Sequence, residues 1–191
     1  DDGALGSLMA RHLPGLRAYV RLRAGRAVRA RESDSDLVQS AYREVLQDLE
    51  TAITREQAVV DTKPLPPVFG DPTQIRQVLQ NLISNAVKFH AKGQPPRIHI
   101  CPEDQGPENW TLVVRDEGIG FDPVYTEKLF HPFQRLHQRQ DYPGTGIGMA
   151  IVKKILDRHN AEISVESSPG AGTTFRIRFV TGNLEMRPTY E

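Results

Sequence analysis

The chain has 191 residues, 38% hydrophobic and 25% charged, with 24 basic and 24 acidic side chains that cancel to a formal net charge of zero. That balance argues against a nucleic-acid partner recognised through bulk electrostatics, and no apolar run approaches the ~20 residues that span a bilayer. A single cysteine, Cys101, permits neither an internal disulfide nor a cysteine zinc site.

No signal-peptide pattern is visible, so one main domain with an extension is expected in a cytoplasmic setting, without membrane contact. Leu5, Leu8, Met9, Leu13, Leu16, Tyr19 and Val20 recur at helical spacing, interrupted by Pro14-Gly15. A lone amphipathic helix must bury its stripe, which implies a partner or a dimer. Arg11, Arg17, Arg21, Arg23, Arg26, Arg29 and Arg31 crowd the same segment; they read either as a partner-facing surface or as a solvated face and linker. Gly25 to Ser33 has no periodicity. Ser33 or Ser35 then caps a helix expected through about Ala52.

Ala58-Val59-Val60 is a short strand, and Pro64, Pro66 and Pro67 mark a loop. Asp71-Pro72 supplies an N-cap and a first-turn proline for a strong helix. Its stripe is Ile75, Val78, Leu79, Leu82, Ile83, Ala86 and Val87, and Gly93 to Pro96 ends it. Strands follow at Arg97 to Pro102 and Trp110 to Asp116, separated by a turn at Gln105-Gly106-Pro107. Cys101 sits in the first of these and is expected to be a buried thiol. A short helix from Pro123 to Phe130 leads into polar residues 134–143, which have the composition of a mobile lid. A final helix ends near Asn160, and strands at Glu162–Glu166 and Thr173–Val180 are joined by the hairpin loop Gly170-Ala171-Gly172. The expected architecture is an α+β sandwich, a mixed and mostly antiparallel sheet with helices on one face.

Several motifs carry chemistry. Asn81 and Asn85 stand one helical turn apart, and Lys88 joins their face three residues on. Two neutral oxygen ligands and a cation suit Mg²⁺ with bound phosphates, although a polar face turned to water would look similar. A strand runs directly into Asp116-Glu117-Gly118-Ile119-Gly120. A carboxylate there can accept a hydrogen bond from an exocyclic amine, as adenine presents, while the glycines let a planar ring approach; a capped turn is the plainer alternative. Phe130-x-x-Phe133 reads as a core anchor for the following loop. Gly144-Thr145-Gly146-Ile147-Gly148 opens a helix, so its backbone N–H groups and the helix terminus can gather around phosphate. A glycine-rich surface loop would share this pattern, which matches neither a P-loop nor the dinucleotide fingerprint.

In order, N-x-x-x-N-x-x-K, D-x-G-x-G, F-x-x-F, G-x-G-x-G and G-x-G-T-T resemble the ATP-binding catalytic domain of sensor histidine kinases over about residues 61–180. The phrases Pro132-Phe133-Gln134-Arg135-Leu136-His137 and Tyr142-Pro143-Gly144-Thr145-Gly146-Ile147-Gly148 look like phytochrome-type members. The resemblance implies a Bergerat-type sandwich over residues 33–182, a dimerisation helix and linker at 1–32, and a tail at 183–191. It implies Mg²⁺ on Asn85, with Asn81 and Lys88 supporting the metal and phosphates. Asp116 would read the adenine amine in a pocket shaped by Gly118 and Gly120, with Phe133 at its edge. Gly144, Thr145, Gly146, Ile147 and Gly148 would wrap the phosphates, Arg135 would reach the γ-phosphate, and Thr174 would position adenine beside Asp116. Asn81, where ATP-hydrolysing cousins carry a glutamate, leaves water without a general base.

The pattern departs at the phosphoacceptor. Neither His12 nor His90, His99, His131, His137 or His159 stands in H-[DE]-x-x-x-P. The γ-phosphoryl is therefore expected to pass to a histidine helix supplied in cis or in trans, in a homodimeric parent that serves a response-regulator receiver domain. A nucleotide-binding regulatory module without transfer and an anti-sigma-type serine kinase are the rival readings.

Overall fold

A computed structural model describes residues 37–66, 68, 70–103, 109–136, 142 and 144–180. The expected helix before residue 33, the turn at 105–107 and most of the expected lid lie outside the described residues. Helix α1 (Leu37–Arg55) leads to strand β1 (Val59–Thr62), and α2 (Pro72–Lys88) leads to β2 (Arg97–Glu103) and β3 (Asn109–Asp116). A 3₁₀ turn at Pro123–Tyr125 runs into the one-turn α3 (Thr126–Leu129), followed by α4 (Gly148–Arg158), β4 (Glu162–Ser167) and β5 (Thr173–Val180). The five strands lie in the order β1-β2-β3-β5-β4. Only β1 and β2 pair in parallel; the other neighbours are antiparallel. The sheet is thus mixed and mostly antiparallel, as the residue pattern predicts.

Alternation sorts the strands into two faces. Ile98, Ile100, Trp110, Leu112, Val114, Phe175, Ile177 and Phe179 turn inward onto the buried stripes of α2 and α4. The other face is polar: His99 lies 3.6 Å from both Asp61 and Glu117, and Arg176 lies between Glu103 and Glu166. Cys101 alternates with Ile98 and Ile100, so it belongs to this face and is half-buried rather than in the core. Helix α1 continues past Ala52 because Ala52 and Ile53 still pack on the core. It stops where Gln57 takes a φ of 54° and Ala58 N–H returns to the Ile53 carbonyl at 2.9 Å.

Helix α2 is tied down along its length. Arg76 reaches Asp48 and Glu44 of α1. At its start, Asp71 Oδ1 accepts from Gln74 N–H at 3.1 Å and Oδ2 accepts from Gln74 Nε2 at 3.0 Å. Asp71 N–H donates to His159 Nε2 at 3.0 Å, while His159 Nδ1 donates to the Ile155 carbonyl at 2.8 Å. A backbone N–H can only donate, so the imidazole is the Nδ1–H tautomer and staples the start of α2 to the end of α4.

Replacing the cap by Asp71→Ala should lower stability by about 0.5–2 kcal/mol, seen as a lower urea midpoint with an unchanged slope. An unmoved midpoint would mean that the Asp71 carboxylate does not support α2.

Candidate functional site

A cavity of about 280 Å³ opens among α2, the end of β3, the start of β5 and the start of α4. Asn81, Asn85, Lys88, Asp116, Gly120, Arg135, Gly144, Thr145, Gly146 and Gly148 line it, so ten of the residues singled out from sequence share one space. Gly118, Phe133, Ile147 and Thr174 do not line it.

Asp116 closes β3 with 8% of its surface exposed. Its Oδ1 accepts from Gly118 N–H at 2.8 Å and from Thr173 N–H at 3.2 Å. Among the described residues Oδ2 has no hydrogen bond within the protein, and it remains available to a donor in the cavity. Burial pushes the carboxyl up to about 6, against the lowering pull of those two N–H bonds. The neighbouring loops approach closely. Gly120 and Gly172 have φ values of 60° and 81°, and a Cβ on either would strike a backbone oxygen, of Ser168 and Asp116 respectively.

Thr174 is a correction. Register pairs Asp116 with Thr173 and Arg115 with Thr174, so alternation puts Thr173 at the cavity and Thr174 on the opposite face. Phe133 is a second. Its backbone is left-handed at φ 63° and its side chain is 67% exposed, so it neither fills the core nor lines the cavity. Ile147 is buried in the core behind the glycines, and Gly118 contributes its N–H from behind Asp116.

The other wall is amide and cation. Asn81 Nδ2 donates to the Gln77 carbonyl at 2.7 Å, which leaves Oδ1 beside Gly148 at the start of α4. Asn85 Nδ2 donates to Met149 Sδ at 3.5 Å, so its Oδ1 is also free of that contact. Lys88 Nζ sits 4.3 Å over the Phe89 ring and makes no ion pair among the described residues. Burial first, and then the nearby Arg135 charge, push Lys88 down to about 8. Arg135 Nη2 donates to the Tyr142 carbonyl at 2.8 Å. A half-buried ammonium near a guanidinium, with no counter-charge on either among the described residues, is poised for an anion. Sequence reading misses Thr173, Phe89, Tyr142 and Met149. An aromatic directly after Lys88 and another just before the glycines were available signals; the Asp116–Thr173 register was not.

Comparison with known proteins bears on the family rather than on single residues. Residues 70–182 match the family described as histidine kinase-, DNA gyrase B-, and HSP90-like ATPase. The chain is 42% identical over 146 residues to the phytochrome-like protein Cph1 of Synechocystis, a stretch covering 76% of this chain and 19% of that protein. It is 43% identical over 148 residues to cyanobacterial phytochrome A of Nostoc, covering 78% and 19% respectively. The chain thus spans about a fifth of the length of these relatives. Among solved structures, the catalytic domain of histidine kinase ThkA superposes with a TM-score of 0.61 at 29% identity, covering 75% of this chain and 91% of that one.

Side-chain NMR should find the Asp116 carboxyl titrating near pH 6 and the Lys88 ammonium near pH 8. The raised carboxyl means that the folded state holds an extra proton between the ordinary value of 3.8 and about 6, so its contribution to stability falls as pH rises through that window. A midpoint for Asp116 in the usual carboxylate range would show that water reaches it.

Proposed function

The chain belongs to the histidine kinase-, DNA gyrase B-, and HSP90-like ATPase family, and on that premise we propose that it is the catalytic domain of a phytochrome-like sensor histidine kinase, transferring the ATP γ-phosphoryl to a histidine on another segment. The domain would occupy residues 33–182, with a dimerisation helix and linker at 1–32 and a tail at 183–191. The observation that carries the reading is one cavity that brings together a buried carboxylate, whose Oδ2 has no hydrogen bond among the described residues, and two cations that make no ion pair among them. Adenine offers an exocyclic amine to Asp116; polyphosphate offers negative charge to Lys88, Arg135 and the glycine N–H groups.

The residues fit both ATP and its metal. The carboxamide oxygen of Asn85 would hold Mg²⁺ and that of Asn81 would support it, with phosphate oxygens and water completing the shell. When bound, the ion neutralises phosphate charge. The chain's own part is to orient and to exclude. Asp116 is the only carboxylate among the described residues that line the cavity, and its Oδ1 is already engaged by two backbone N–H groups. Among the described residues no second carboxylate stands by Asn81 to deprotonate water, which favours delivery of the phosphoryl to a strong nucleophile over hydrolysis.

None of the described histidines, His90, His99, His131 and His159, lines the cavity. On this reading the acceptor comes from a separate helix, in a homodimeric cytoplasmic parent that passes the phosphoryl to a response-regulator receiver domain. A module that binds nucleotide without transfer is the alternative reading.

Asn85→Ala should abolish the Mg²⁺-dependent tightening of ATP binding and leave adenosine affinity nearly unchanged, because a metal ligand counts only when ion and phosphates are present. Equal losses for both ligands would make Asn85 a structural residue. Labelled ATP with a separate two-helix acceptor should yield phosphohistidine on the acceptor and none on this chain. Label on any of the chain's own six histidines would overturn the assignment of the acceptor, and an unlabelled acceptor would favour the binding module.

A further inference from the structure

Tyr142 has no role in the reading above, yet three contacts converge on it. Its hydroxyl donates to the His90 carbonyl at 3.1 Å. Its ring lies 5.3 Å from the Phe89 ring at an interplanar angle of 47°. Its own carbonyl accepts Arg135 Nη2 at 2.8 Å. The first two contacts fix Tyr142 to the segment that directly follows α2, whose last residue is Lys88. The third occupies one donor of the guanidinium and so determines where that charge rests.

Lys88 closes the circuit. Its Nζ lies over the same Phe89 ring at 4.3 Å, and Arg135 is the charged group that acts on it. Two like charges repel, and an untethered arginine on a polar segment gains rotamer freedom by swinging into water. A carbonyl anchored through an aromatic contact and a hydroxyl opposes both tendencies. We propose that Tyr142 is a positioning residue for polyphosphate: it tethers the Arg135 guanidinium to the end of α2 and holds a second cation beside Lys88. This rests on the reading of the cavity as an ATP site.

A double-variant cycle read by calorimetry with ATP and adenosine tests it. Tyr142→Ala should lower the ratio of ATP to adenosine affinity by about threefold to tenfold, the size of a weakened charged hydrogen bond. Tyr142→Phe, which keeps the ring on Phe89 and loses only the hydroxyl, should act in the same direction and less strongly. In an Arg135→Gln background, Tyr142→Ala should change that ratio by less than about twofold, since the two residues act as a unit. The pH dependence gives a second readout. Once Arg135 is released, Lys88 loses its like-charged neighbour, so the alkaline loss of ATP binding should move to higher pH. Equal losses for ATP and adenosine, additive losses in the cycle, or an unmoved alkaline limb would reduce Tyr142 to packing alone. ATP that fails to bind the unmodified chain would instead remove the ATP-site reading beneath this inference.

Discussion

Asp116 is buried at the point where the end of β3, the segment after α2 and the turn between β4 and β5 meet by backbone contact. Ile119 N–H donates to the Phe89 carbonyl at 2.9 Å, and Gly170 N–H donates to the Ile119 carbonyl at 2.7 Å. Side chains at Gly120 and Gly172 would force these segments apart. The convergence puts two N–H groups on one carboxylate oxygen and leaves the other facing the cavity. Without it the carboxyl would be solvated and the cavity would lose both its shape and its buried carboxylate acceptor.

Helix α2 connects that constraint to the rest of the domain. Its inner stripe fills the core, its start is stapled to α4 through Asp71 and His159, and its polar face carries Asn81, Asn85 and Lys88. Among the described residues the cavity leaves charge unpaired on both walls, with burial raising the carboxyl to about 6 and lowering the ammonium to about 8. Burying charge without a partner costs stability. The well-packed core beneath α2 and α4 offsets that cost and keeps the groups in place for a ligand that satisfies them.

Much of this was legible in the residues. The helix that begins at Asp71 declared itself through its cap, its proline and its stripe, and the spacing of Asn81, Asn85 and Lys88 defined a common face before any fold was known. The carboxylate at the end of β3 and the glycines before α4 were equally plain. Cross-strand register was not: nothing local distinguishes Thr173 from Thr174, and only pairing with β3 decides which of them faces the cavity. Phe133 misled because aromatics three residues apart usually share a core, whereas its left-handed backbone turns this one outward. An aromatic just before the glycines marked Tyr142 as a residue to watch, but its contacts, to backbone groups and to a ring more than fifty positions away, were not legible from spacing.

On the proposed reading, the free oxygen of Asp116 selects the ligand while the bonded one serves the fold. Asp116→Asn separates the two, since its amide oxygen can still accept from Gly118 and Thr173 but its NH₂ opposes an adenine amine. Calorimetric titration of this variant with ATP should show affinity reduced by about tenfold to a hundred-and-fifty-fold, the loss of a charged hydrogen bond, with thermal stability at pH 7 undiminished because a buried charge has been removed. ATP affinity within about twofold of the unmodified chain would contradict the account.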